Sequence, residues 1–225
     1  MTVGFRILKC ERKVPAALVD KFRSIPVANV SDCMSRMSAG GCRLRPLHAG
    51  GVLAGPAFTV KTRPGDNLML HKAIDMADAG DVIVVDGGGE LTNALMGELM
   101  LMHAAKRGIA GFVLDGAVRD LDFISKGSMP VYAAGVTHRG PYKDGPGEIN
   151  VPIAIDGMVI EPGDLVLGDA DGTLCVPYGD AETIYAAAKA KNDAEITQVA
   201  EIEAGTSDRT WVDAALKARG CGWGE

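Results

Sequence analysis

Residues 80–122 read GDVIVVDGGGELTNALMGELMLMHAAKRGIAGFVLDGAVRDLD. Val82–Val85 is a short, continuous, β-branched run, the pattern of a strand buried on both faces. Gly97–Arg107 is rich in helix formers, and Gly108 stands where it can terminate a helix. Gly111–Leu114 repeats the buried-strand pattern. Strand, helix and strand in this order predict a βαβ unit, whose crossover is almost always right-handed and sets the two strands parallel. The two loops that follow the strands, Gly87–Gly97 and Gly116–Asp120, then emerge on one side of the sheet, where open α/β sheets bind ligands.

Each loop brings chemistry to that crevice. The first N–H groups of a helix starting at Gly97-Glu98-Leu99-Met100 lack intrahelical partners and attract a carboxylate or phosphate. The second loop brings Arg119, a fixed cation with a planar donor fork, and Asp120, a hard oxygen ligand. Glu98 adds another carboxylate at the mouth. Blander readings stand beside this one. Gly87-Gly88-Gly89 invites comparison with a dinucleotide loop, but Thr92 occupies the last glycine position of G-x-G-x-x-G, and no P-loop lysine follows. Arg119-Asp120 is also what a solvated ion pair at a helix start looks like. Glu98 alone is an ordinary first-turn acid. Convergence of all three on one crevice favours a site.

Outward from the core, Val14–Ile25 has helical spacing and stops at Pro26, and Asn29–Met37 reads as a second short helix with Ser31 or Asp32 near its start. Ala39–Gly51 is irregular. Ala57–Lys61 reads as a strand and Asp66–Ala77 as a helix. After residue 130 the character changes. Val131–Ala133, Val151–Ile155, Met158–Ile160, Leu165–Gly168 and Thr173–Val176 are short strands, separated by turns at Asp156-Gly157, Pro162-Gly163-Asp164 and Asp171-Gly172. Such close spacing implies antiparallel or mixed pairing. Ala181–Ala204 is one long helix ended by Gly205, and the tail from Thr206 holds a small helix around Trp211–Ala218 or an interface arm. We expect a single α/β domain over residues 1–225, with its core at about 14–205 and a tail at 206–225.

Composition excludes several classes. Of 225 residues, 47% are hydrophobic and 23% charged, which is ordinary for a folded protein and argues against disorder. The net charge of −6 is spread without a basic block, so nucleic acid is not an expected partner. No apolar run approaches the roughly 18 residues of a membrane helix, and MTVGFRILKCERKV lacks a signal-peptide core, so we expect no membrane association and a cytoplasmic location. The five cysteines are odd in number and form no CxxC pair, which disfavours a disulfide framework and a cysteine zinc site. His71 and His103 lie on predicted helices and read as packing or surface residues. His48 and His138 lie in loops without metal-ligand spacing.

G97-E98-L99-M100, followed after a 20-residue gap from Glu98 by R119-D120 within LDGAVRD, resembles the RraA-like family. DNLMLHKAIDMADAGDVIVVDGGG and GDADGTLCVP support the resemblance, which extends over about residues 14–205. The match points to the enzymatic branch, the class II 4-hydroxy-4-methyl-2-oxoglutarate / 4-carboxy-4-hydroxy-2-oxoadipate aldolases. It implies a layered β/β/α swivelling-type fold, with the central βαβ unit, a β-rich C-terminal half and helices flanking at both ends. It further implies retro-aldol release of pyruvate with oxaloacetate decarboxylation as a side activity. Mg²⁺ or Mn²⁺ would be held at Asp120. Arg119 would donate to the developing enolate, and Glu98 would handle a proton through water. The N–H groups of residues 98–100 would hold the pyruvyl carboxylate. The family's first acid is usually Asp, and here it is Glu98, whose longer side chain displaces the carboxylate. A further Glu from a neighbouring subunit is expected, with Glu195 as the candidate by position, in a homotrimer or homohexamer whose sites lie between subunits. The regulatory branch, which binds a ribonuclease or another protein, lacks the first acid and is the alternative. No SAM-type glycine loop supports a methyltransferase.

Overall fold

The structure, a computed structural model, describes residues 2–38 and 40–223. Residues 39, 224 and 225, at the start of the irregular segment and the end of the tail, lie outside the described residues. Contacts divide the chain into two compact units, residues 1–188 and 189–225.

The first unit opens with β1 (Phe5–Ile7), α1 (Ala16–Phe22), α2 (Val27–Cys33) and β2 (Arg45–Pro46). The central elements follow: β3 (Leu53–Thr62), α3 (Leu68–Met76), β4 (Val82–Met96), α4 (Glu98–Lys106), β5 (Gly111–Val118), α5 (Leu121–Ile124) and β6 (Val131–Val136). Five short strands complete the β-rich half: β7 (Gly147–Ile149), β8 (Ile153–Ile155), β9 (Met158–Ile160), β10 (Leu165–Asp169) and β11 (Gly172–Val176). Helix α6 (Ala181–Glu203) starts in this unit and continues into the second, which also holds α7 (Thr210–Ala218).

Strands β3, β4, β5 and β6 pair in parallel. The predicted βαβ unit is therefore present as β4–α4–β5. Strand β7 is antiparallel to β3, and β2 to β6. The close spacing of the later strands does give antiparallel pairs, β8 with β9 and β10 with β11. Strand β3 joins two layers. Its residues 53–56 pair with β10 and its residues 57–61 with β4.

Side-chain alternation sorts the core by layer. Ile83, Val85, Phe112 and Leu114 face α3 and α4 in one cluster with Leu70, Ile74 and Leu101. Val82, Val84 and Val113, one residue out of step, face Ile153, Ile155, Met158, Val166 and Cys175. A strand's side-chain period of two places these sets on opposite faces, and burial on both faces explains the unbroken apolar runs. A third cluster packs Leu18, Val19 and Phe22 of α1 and Ala181 and Ala188 of α6 on Leu165, Leu167 and Leu174. The layers thus run helices, sheet, sheet, helices.

Three expectations are corrected. The glycine-rich segment after Val85 is not a loop: β4 continues to Met96, and its pairing with β5 shifts register after Asp86, Glu90 and Ala94. These bulges absorb the extra residues that the glycines permit. Helix α2 begins at Val27, directly after Pro26, and ends at Cys33, so Ser31 and Asp32 lie near its end rather than its start. Pro26 carries no amide of its own, and the Val27 N–H that follows it donates to Asp169 Oδ2 at 2.9 Å, so a carboxylate from β10 caps the helix in place of a local side chain. The irregular segment contains β2, which pairs with Tyr132 and Ala133.

Candidate active site

The end of β4, the first turn of α4 and the residues after β5 meet as predicted. They line a cleft of about 260 Å³ with Asn67, His71, Pro141 and Lys143. Gly97, Glu98, Leu99, Met100, Arg119 and Asp120 all contribute to its wall.

Gly97 is the residue before α4 and has no side chain to cap it. Asp120 supplies the cap from the next loop: the Glu98 N–H donates to Asp120 Oδ2 at 2.9 Å. The backbone of Asp120 is left-handed, at φ 59° and ψ 42°. A non-glycine residue held there stores about 1–2 kcal/mol and points to a function that needs the geometry. A Cβ on Gly97 would collide with Asp120 Oδ2 and crowd Arg119 Cγ at 3.0 Å. Glycine at 97 therefore gives the acid and the arginine their room. Its φ of −154° is ordinary extended backbone, so space rather than conformation is what requires it.

Arg119 Nε lies 3.8 Å from Asp120 Oδ2, and both side chains are about two-fifths exposed, at 44% and 41%. This is a loose pair with donors and an acceptor to spare. Glu98 is half-buried, Met100 is buried and the Leu99 side chain projects into solvent. The Glu98 amide already serves Asp120, which leaves the amides of residues 99 and 100 as the first-turn donors open to a ligand.

Asn67, His71, Pro141 and Lys143 are the part of the cleft that sequence reasoning missed. Asn67 and His71 sit four residues apart, so one face of α3 presents both, and that spacing was the available signal. His71 lines the cleft with its ring partly packed away, and its Nε2 is buried with no hydrogen-bond partner. Burial, then the Lys143 charge, holds its pKa below the usual histidine value, so the ring is mostly neutral at pH 7. Lys143 comes from a loop with no distinguishing pattern. Glu195 belongs to the second unit, on α6, where its carboxylate lies 2.8 Å from Lys191 Nζ one turn earlier.

Among the described residues, no group of three or more His, Cys, Asp or Glu side chains stands close enough to cage a metal ion. Mg²⁺ keeps several waters and takes one or two protein carboxylates, so a single Asp can serve as its protein ligand. Asp120, partly exposed with Oδ2 turned to an amide, is a suitable single ligand.

Comparisons with known proteins show the family and the fold. The RraA-like family model, described as "Aldolase/RraA", matches residues 27–175. A relative from Halalkalibacterium halodurans, named "Putative 4-hydroxy-4-methyl-2-oxoglutarate aldolase", is 41% identical over 173 residues, 77% of this chain and 82% of its own. An uncharacterized Pseudomonas syringae pv. tomato protein of known structure superposes with a TM-score of 0.78 at 26% identity, covering 87% of this chain and 96% of its own. The RNA-processing inhibitor RraA from Thermus thermophilis superposes at 0.63 with 32% identity, covering 68% and 92%. With its match over residues 27–175, a relative 41% identical over most of both chains and a shared fold, this chain belongs to the RraA-like family.

Proposed function

We propose that this chain is a divalent-metal-dependent aldolase that cleaves 4-hydroxy-2-oxo di- or tricarboxylic acids, such as 4-hydroxy-4-methyl-2-oxoglutarate, to pyruvate. One observation carries the reading: Arg119 and Asp120 stand at the mouth of the same cleft as the first turn of α4, with Asp120 Oδ2 on the Glu98 amide. The aldolase names of the curated relatives support it.

The residues divide the work as follows. The amides of residues 99 and 100 hold the C1 carboxylate at the positive end of α4. Glu98, acting through a water, takes the proton from the substrate 4-hydroxyl. The C3–C4 bond then breaks, the hydroxyl carbon becomes a carbonyl, and the electron pair passes to the pyruvyl fragment as an enolate. Arg119 donates to the enolate oxygen, and C3 is reprotonated to give pyruvate. Asp120 would hold a Mg²⁺ or Mn²⁺ ion, which would supply Lewis-acid polarisation of the 2-oxo acid. Glu195, from a neighbouring subunit of a trimer or hexamer, completes the proton path. Exposed apolar side chains, Leu99 and Met102 on α4 and Ile196, Val199 and Ile202 on α6, support assembly. Oxaloacetate passes through the same enolate on losing CO₂, so its decarboxylation accompanies the main activity.

Pyruvate release from 4-hydroxy-4-methyl-2-oxoglutarate, measured with Mg²⁺ and with EDTA, tests the reading. Chelation should abolish it, and full activity in Asp120→Ala would sink the metal assignment. The 32% identical RraA structure favours a second reading, a regulator that binds a ribonuclease or another protein. That reading calls for no turnover of any 2-oxo acid and a ribonuclease that co-purifies.

A further inference from the structure

Lys143 sits in the cleft with no assigned task. Its backbone is tightly placed. The loop that carries it is held by Asp66, a fully buried carboxylate whose Oδ2 accepts from the amides of Asp144 at 2.7 Å and Gly145 at 2.9 Å. Backbone bonds from Tyr142 to Gly65, at 2.8 Å, and from Asn67 to Tyr142, at 3.0 Å, tie the loop to the start of α3. The same loop passes Arg119: a Cβ on Gly140 would lie 3.4 Å from Arg119 Nη1.

The Lys143 ammonium donates to Asn67 Oδ1 at 3.1 Å. The orientation of that amide is set by its other end, because Asn67 Nδ2 donates to the Leu95 carbonyl at 2.8 Å and a carbonyl can only accept. Asn67 is 1% exposed, so its acceptor is fixed and aims at the lysine. An ammonium has three donors, and this bond uses one. Among the described residues it has this neutral partner and no carboxylate in ion-pair contact. A cation steered by a buried amide, with donors open in a cleft, is a built anion subsite.

We propose that Lys143, positioned by Asn67, binds the second carboxylate of the substrate, so that the cleft selects 2-oxo dicarboxylates over 2-oxo monocarboxylates. The proposal rests on the reading of the cleft as a 2-oxo-acid site. The α4 amides and Arg119 take the pyruvyl end, and Lys143 takes the far end.

Calorimetric binding with Mg²⁺ present tests this without turnover. The probes are 2-oxoglutarate and 2-oxopentanoate, which share a chain length and differ in the distal carboxylate. Wild-type protein should prefer 2-oxoglutarate by about 10- to 100-fold, the scale of one hydrogen bond to a charged group. Lys143→Met and Lys143→Gln should erase the preference and leave 2-oxopentanoate binding unchanged. Lys143→Arg should keep part of it. Lys106→Met, which removes the same charge from the far end of α4, should keep all of it. Four results overturn the proposal: no preference in the wild type, a preference that survives Lys143→Met, equal loss of both probes, or a loss matched by Lys106→Met. Failure of the aldolase reading looks different. The wild type would then bind 2-oxoglutarate selectively through Lys143 yet release no pyruvate from 4-hydroxy-4-methyl-2-oxoglutarate. If neither probe binds, the 2-oxo-acid site and the proposal fall together.

Discussion

Two aspartates, one within β5 and one just beyond it, each meet an arginine and a glycine near β4, and the two sets have opposite characters. Asp115 lies within β5, 4% exposed, with Oδ1 2.8 Å from Arg43 Nη2. That N–H does not point at the oxygen, so Asp115 Oδ1 has no well-directed hydrogen bond. The same guanidinium reaches Asp156 on the β8–β9 turn at 2.8 Å, and Gly89 leaves room for it. Asp120, five residues on, is exposed, offset from Arg119 by 3.8 Å, and given room by Gly97. The first set is enclosed and holds three segments together. The second is open, backed by a helix start, and has capacity left for a ligand. Residue types alone do not separate a structural ion pair from a reactive one; solvent access and spare hydrogen-bonding capacity do.

The largest test of this contrast is on activity. Arg119→Ala should lower pyruvate release by about 10²- to 10³-fold, the usual effect of losing one preorganised donor to an oxyanion. Asp120→Ala should fall at least as far, since it removes both the proposed metal ligand and the cap on α4. The unfolding midpoint of Arg119→Ala should move little, because exposed pairs contribute about 0–1 kcal/mol, while Asp120→Ala should lose the roughly 0.5–2 kcal/mol of a helix cap and still fold. A variant that unfolds instead of losing turnover would place this set with the structural one.

Gly97→Ala comes next. The added methyl displaces Asp120 and Arg119 side chains that can swing into solvent, so stability should change by less than about 1 kcal/mol. Turnover should fall roughly 10²-fold, the effect of an ångström-scale misplacement in a site. Unchanged kcat/KM would mean that Asp120 is not held where we describe it.

The contrast also explains what the sequence disclosed. The βαβ unit was legible because β-branched runs and a helix-forming segment are local patterns, and Gly97, Glu98, Arg119 and Asp120 fell together once the topology was assumed. Residues 87–93 misled because bulges break the period of two on which strand recognition depends, leaving Gly87–Gly89 to look like a loop. Strand β1 was invisible for a different reason: its partner is β7, with Phe5 opposite Gly147, and three residues carry too little pattern alone. The Arg43–Asp115–Asp156 cluster joins three distant segments, so no spacing announces it. Lys143 and Asn67 likewise meet only through folding.

Arg43→Ala should act on stability, by about 2 kcal/mol, because it strands a buried carboxylate without its counter-charge. The effect should depend on pH. Burial raises the Asp115 pKa above its ordinary 3.8, and Arg43 partly offsets this. An acid whose folded pKa is raised binds more protons folded than unfolded, so its contribution to stability falls as pH rises from 3.8 through the folded value. Removing Arg43 raises that folded value further and extends the fall. Urea unfolding at pH 4 and pH 7 should show a larger loss in the variant at pH 7. A loss independent of pH would assign the damage to packing. Turnover per folded molecule should be unchanged.

The smallest effect belongs to Gly89→Ala, which separates the two glycines by mechanism. Gly89 has φ of +69°, a left-handed conformation that costs an alanine about 1 kcal/mol or slightly more. The new methyl also meets Arg43 Nη1, the far end of a flexible side chain that can give way. A loss of about 1 kcal/mol in urea unfolding, with kcat and KM intact, is therefore expected. At 97 the backbone tolerates alanine and the site does not; at 89 the backbone objects and the site is indifferent. The reverse outcome, turnover lost in Gly89→Ala and kept in Gly97→Ala, would move the ligand to the triple glycine and away from the start of α4.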